Sequence, residues 1–96
     1  MTDSASRPAT VQVSLAPALL RLFPDAPRQV ALQATTVDEV IDALQARWPG
    51  MGERLRDSRP SLRRHISVFV AGKRATLDTP LDPGAEVLII TAVSGG

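Results

Sequence analysis

The chain closes on Ala92-Val93-Ser94-Gly95-Gly96, and the group in that stretch with chemistry to offer is the Gly96 carboxylate. Two glycines strip every Cβ from the tip, so the tail can stay extended and enter a channel too narrow for a side chain. Ser94 adds one small hydroxyl behind them. A carboxylate resists nucleophiles because it is already negative, so it reacts only after another protein activates it. The remaining residue types supply no rival site. There is no cysteine to act as nucleophile, ligand or disulfide partner. His65 is the single histidine, with no second ligand or paired nucleophile, and reads as a strand-edge residue. No carboxylate pair, phosphate-cradling glycine loop or metal-ligand spacing occurs.

Small polar termini commonly fray, so the meaning of the tail rests on what holds it. Val87-Leu88-Ile89-Ile90 is apolar and largely β-branched, and runs straight into the tail. It reads as a strand over about Ala85–Thr91. Thr10–Leu15 alternates with period two and places Val11, Val13 and Leu15 on one face; Arg28–Ala34 repeats the pattern with Val30 and Leu32. Between them Pro17 opens a short helical turn carrying Leu19, Leu20, Leu22 and Phe23, which stops before Pro24.

Thr36-Val37-Asp38-Glu39 is a capping box, with Glu39 reaching back to the Thr36 amide. The helix that follows carries Val37, Val40, Ile41, Leu44 and Trp48 on one stripe and ends at Pro49-Gly50. Trp48 is assigned to the core. Met51–Arg64 reads as a weakly structured connection with one helical turn near Gly52–Asp57. A third strand, His65–Ala71, turns at Gly72-Lys73. An irregular crossing holds Leu77 and Leu81, and Pro83-Gly84 is a further turn.

Ninety-six residues make one domain with one core. We divide the chain into a disordered lead-in (1–9), the folded domain (10–91) and a flexible tail (92–96). The formal net charge is +1, which predicts no strong pull toward nucleic acid or anionic membrane. Arg54, Arg56, Arg59, Arg63 and Arg64 cluster, but Glu53 and Asp57 offset them and no aromatic residue stands among them for base stacking. We read them as a solvated connection, with an acidic partner as the alternative. No apolar run is long enough to span a bilayer, and no apolar signal-peptide core precedes the first strand; the cytoplasm fits these features.

One helix across one face of a mixed sheet, with the last strand parallel to the first in mid-sheet, is an α+β arrangement of the β-grasp, ubiquitin-like kind, with four to five strands. Together with Thr36–Leu44, Val68–Lys73, Pro83–Ile90 and the closing Gly95-Gly96, it resembles the ubiquitin-like sulfur carriers of the MoaD/ThiS family. The Met51–Asp57 segment is similar to that of the longer, CysO-type members.

The resemblance implies a protein co-substrate, not an enzyme. An E1-like partner would adenylate Gly96 with ATP, and sulfur would displace AMP to leave a covalent thiocarboxylate for a sulfur-accepting synthase. That synthase would serve cysteine, molybdopterin, thiamine or secondary-metabolite synthesis. No bound cofactor or metal is implied. Gly95 and Ser94 would thread the tail into partner sites. The alternation that sends Val87 and Ile89 to the helix sends Leu88, Ile90 and Phe69 to the bare side of the sheet, where they suggest a docking patch. The alternative roles are a modifier joined to lysines through Gly96, or specifically the small subunit of molybdopterin synthase.

Overall fold

The computed structural model describes residues 10–57 and 61–91. The lead-in expected over 1–9 and the tail expected over 92–96 therefore lie outside the described residues. The elements run β1 (Thr10–Leu15), α1 (Pro17–Leu22), β2 (Gln29–Gln33), α2 (Val37–Arg47), α3 (Met51–Leu55), β3 (Ile66–Val70), β4 (Lys73–Ala75) and β5 (Glu86–Thr91).

Five strands form one sheet in the order β2-β1-β5-β3-β4. β1 pairs antiparallel with β2 and parallel with β5, and β3 is antiparallel to both β5 and β4. The most apolar strand thus lies in the centre, where both edges of its backbone are hydrogen-bonded. Period-two alternation sorts the faces: Val11, Val13, Leu15, Val30, Leu32, Ile66, Val68, Val87 and Ile89 are buried, and α2 covers them with Val37, Val40, Ile41 and Leu44. This is the β-grasp, ubiquitin-like fold, with one main helix and two short ones.

The first turn of α2 shows how completely a helix start can be satisfied. A helix leaves its first amides without internal partners. Here Thr36 Oγ1 accepts from the Glu39 amide at 3.2 Å. The Val37 and Asp38 amides donate to the Thr79 and Leu77 carbonyls at 3.2 and 3.0 Å. The irregular crossing is therefore part of the cap, anchored by buried Leu77 and Leu81. Glu39 does reach back, but one residue further than the sequence implied. Its carboxylate accepts from the amide and hydroxyl of Thr35, each at 2.7 Å.

These two bonds to Thr35, the hydroxyl's first and the amide's second, hold the Glu39 carboxyl below the ordinary carboxylate value. A carboxyl depressed on folding adds stability above its unfolded value, and that stability disappears as pH falls through the folded one. We expect Glu39→Gln to match the wild type at low pH and to fall behind as pH rises through the lowered folded value toward the ordinary carboxylate value. Urea midpoints at a series of pH values measure this; a constant gap across the series would show that the charge of Glu39 contributes nothing.

Three other expectations are corrected. The β3 turn is Ala71-Gly72, one residue earlier than expected, and it leads into a short strand, β4, that the sequence reading left out. Both turn residues have positive φ (52° and 83°), the signature of a two-residue type I′ hairpin. Trp48 is the C-cap of α2 and only partly buried, packed against the core from its edge. Finally, the Arg-rich connection is ordered where Arg56 grips α2. Its guanidinium donates to Asp38 Oδ1 at 2.5 Å and to Asp42, a pair one helical turn apart that fits the fork of an arginine. The two carboxylates hold the Arg56 pKa above its usual value despite opposing desolvation. Gln45 Oε1 fastens the start of α3 by accepting from the Gly50 and Gly52 amides at 3.1 and 2.8 Å. A Cβ on Gly52 would meet that oxygen at 2.9 Å.

Candidate functional site

The face of the sheet opposite α2 carries no helix among the described residues. Its centre is β5. Leu88 and Ile90 point out from it, 42% and 36% exposed, while their neighbours Val87 and Ile89 are buried on the other face. Phe69 on β3 stands directly opposite Leu88 in the antiparallel register, so both side chains project from the same face. Phe69 is half-buried. Its other cross-strand neighbour is Arg74 on β4, whose guanidinium reaches along the face to Ser67 Oγ at 3.1 Å. On the β1 side the face turns polar with Gln12, Ser14 and Gln29, and Gln29 Nε2 donates to Ser14 Oγ at 3.4 Å.

An apolar strip thus runs along the strand that leads to the tail, with polar borders on both sides. A groove of about 620 Å³ lies along it, bounded by Leu88 and Ile90 on one side and by Ser14, Pro17, Arg28 and Gln29 on the other. The segment after β1 does not cover the strip. It is drawn to the end of the sheet instead, where the Ala16 amide donates to the Ile89 carbonyl at 3.0 Å and Leu19 is buried in the core.

Ser94, Gly95 and Gly96 lie outside the described residues; in the sequence they follow Thr91, the end of β5, by three to five residues. Leu88, Ile90 and Phe69 are brought together on one face. The sequence reading missed the polar border of the strip: Ser14 and Gln29 could have been found from the same alternation that placed Val13 and Val30 inward. Arg28 and Pro17 carry no such signal, because they join the groove only through the turn after β1. Among the described residues no group of three or more His, Asp or Glu side chains is arranged to hold a metal ion, and no helix is long and apolar enough to cross a membrane.

Comparison with known proteins agrees with this architecture. The chain is 33% identical over 92 residues to the sulfur carrier protein CysO of Mycobacterium tuberculosis, covering 90% of this chain and 98% of that protein. Among solved structures it is similar to the BexX/CysO complex of Amycolatopsis orientalis (TM-score 0.78, 31% identity, 90% of this chain and 99% of that one). It is also similar to SAMP1 of Haloferax volcanii (TM-score 0.79, 26% identity, 92% and 100%). The ThiS family model matches residues 19–96, from α1 through the terminal glycines. With that span and those relatives, the chain belongs to the ThiS family.

Proposed function

We propose that this chain is a sulfur carrier whose Gly96 carboxylate is charged by a partner enzyme and unloaded by a second. The observation that carries the reading is a family match that runs through Gly95-Gly96, joined to 33% identity with a named sulfur carrier over nearly its whole length. In the proposed cycle the Gly96 carboxylate attacks the α-phosphorus of ATP. Pyrophosphate leaves, and an acyl-adenylate remains. Sulfide then adds to the acyl carbon, the carbon–oxygen bond to AMP breaks, and the chain ends in a thiocarboxylate. Its sulfur is the nucleophile that a biosynthetic synthase consumes.

Within that cycle the folded domain supplies position and the partners supply catalysis. Residues 92–96 are the tether, Gly95 and Ser94 let it thread, and Leu88, Ile90 and Phe69 are the docking patch for the enzyme that charges it. A second reading is supported by the likeness to SAMP1, a member of the small archaeal modifier proteins: Gly96 would then be joined to lysines of other proteins.

Both readings are tested on the protein purified from its own cells through an N-terminal tag. A carrier gives an intact mass with one oxygen replaced by sulfur, which disappears on alkylation of the thiocarboxylate. A modifier gives higher-mass species joined to lysine. Carboxylate alone, with neither product under growth conditions that demand sulfur, would overturn the proposal.

A further inference from the structure

Two clefts meet at the end of the sheet where β5 stops. One, of about 330 Å³, is lined by Glu53, Arg54, Arg63 and His65. The other, of about 210 Å³, is lined by Leu19, Leu22, Ile66 and Thr91 together with the same Arg54 and His65. Arg54 and His65 are thus common to both, and both are exposed. Arg63 is already engaged, its Nε donating to the Glu53 carbonyl. Among the described residues the ion pairs are those of Arg56 with Asp38 and Asp42, so neither Arg54 nor His65 has a carboxylate partner there. Beside them stands Leu22, 51% exposed, the most exposed large apolar side chain among the described residues.

The position of this rim matters as much as its charge. Thr91 is the last residue of β5, and the sequence beyond it leads to Gly96. α1 divides the end of the sheet in two. Ala16 and Pro17 border the groove beside Leu88 and Ile90, and Leu19 and Leu22 border the cleft beside Arg54 and His65. A protein that holds the bare face and reaches past α1 to the end of β5 would meet this rim.

We propose that Arg54, His65 and Leu22 form a second contact point, distinct from the sheet face, for an acidic surface on the enzyme that charges Gly96. The partner chemistry is a carboxylate side chain set beside an apolar one. The carboxylate answers the Arg54 guanidinium and the His65 ring N–H, which have no carboxylate partner among the described residues, and the apolar group answers Leu22, for which a small anion would have no use. Charges at the border of an interface mainly raise the rate of encounter and make it sensitive to salt. Since the whole chain has a formal net charge of only +1, the attraction is local to the rim. The inference rests on the carrier reading and names how the charging enzyme finds the tail.

The test uses full-length protein and the charging activity in a lysate of its own cells, supplied with ATP and sulfide, with thiocarboxylate followed by intact mass. We expect R54E/H65E to be charged about tenfold more slowly at low salt, as befits lost encounter steering. Added salt should slow the wild type toward the variant and leave the variant little changed. R54K, which keeps the charge, should behave as wild type, and R47E, a charge reversal outside both clefts, should also charge normally. All three side chains, Arg54, His65 and Arg47, are exposed, and equal thermal melts confirm folding. Wild-type rates in R54E/H65E, or an equal loss in R47E, would overturn the proposal. A faster rate in R54E/H65E would overturn it in favour of cations that hold the chain's own terminal carboxylate. No thiocarboxylate on the wild type itself would instead bring down the carrier reading, a result distinct from a loss confined to the variant.

Discussion

A chain ending at Gly95 should be charged with sulfur at least a hundredfold more slowly than the full chain, although it still ends in a glycine carboxylate. The chemistry of the terminal group is unchanged; what moves is its position. Each residue of extended chain spans about 3.5 Å, and misplacing a reacting atom by even about 1 Å can cost a hundredfold in rate. β5 is bonded on both sides, to β1 and β3, so the sheet cannot slide to restore the reach. Gly95→Val asks the complementary question. It keeps the length and adds a branched side chain where the proposal requires a bare backbone, and it should lose charging to a similar extent. Neither change touches residues 10–91, so thermal melts should match the wild type. The measurement is thiocarboxylate formed in the lysate assay, read by intact mass. Charging within a few-fold of wild type in both variants would show that the terminal glycines are not threaded into a narrow site, and the carrier proposal would lose its chemical basis.

What the sequence made legible, and what it hid, follows from how far each signal reaches. Alternation over five or six residues identified β1, β2 and β3 and assigned their faces, because a period of two needs only a few repeats to be seen, while β5 was read from its continuous apolar, β-branched run. The same rule placed Leu88, Ile90 and Phe69 on the face away from the helix. Thr36 and Glu39 announced α2, since capping is a contact between near neighbours. β4 escaped for two reasons. Three residues are too few to show a period, and the turn that leads to it has alanine where positive φ usually calls for asparagine or glycine. Ala71 accepts that φ at a cost of about 1 kcal/mol, offset by its amide's bond to the Glu86 carbonyl at 3.0 Å. Arg56 escaped because its partners, Asp38 and Asp42, are 18 and 14 residues away. Five arginines in one stretch look alike in sequence, and it is the packing of α3 beside α2 that pins Arg56 to that helix.

Leu88→Asp and Phe69→Asp should each abolish charging while leaving the fold in place. Leu88 is 42% exposed and stands on the face away from the core, so a carboxylate there remains in water in the free protein. In a complex that closes over the strip the same carboxylate would lose its water. Burying a leucine or phenylalanine side chain is worth about 1.5–3 kcal/mol, and enclosing an unpaired charge costs a further few kcal/mol. Together these predict a drop in charging efficiency of about a thousandfold, since each 1.4 kcal/mol is a factor of ten. The Leu88 substitution should be the more severe, because Glu86 lies on the same face two residues away and adds like charge. Aspartate at 69 faces Arg74 across the ladder, which blunts its effect. Ile90→Asp extends the test toward the tail, and Gln12→Asp places the same charge at the polar border, where little change is expected. The assay is ATP-dependent adenylation by the cognate charging enzyme, with melting temperatures as the control for folding. If Leu88→Asp, Phe69→Asp and Ile90→Asp all turn over like wild type, the strip is not where that enzyme docks.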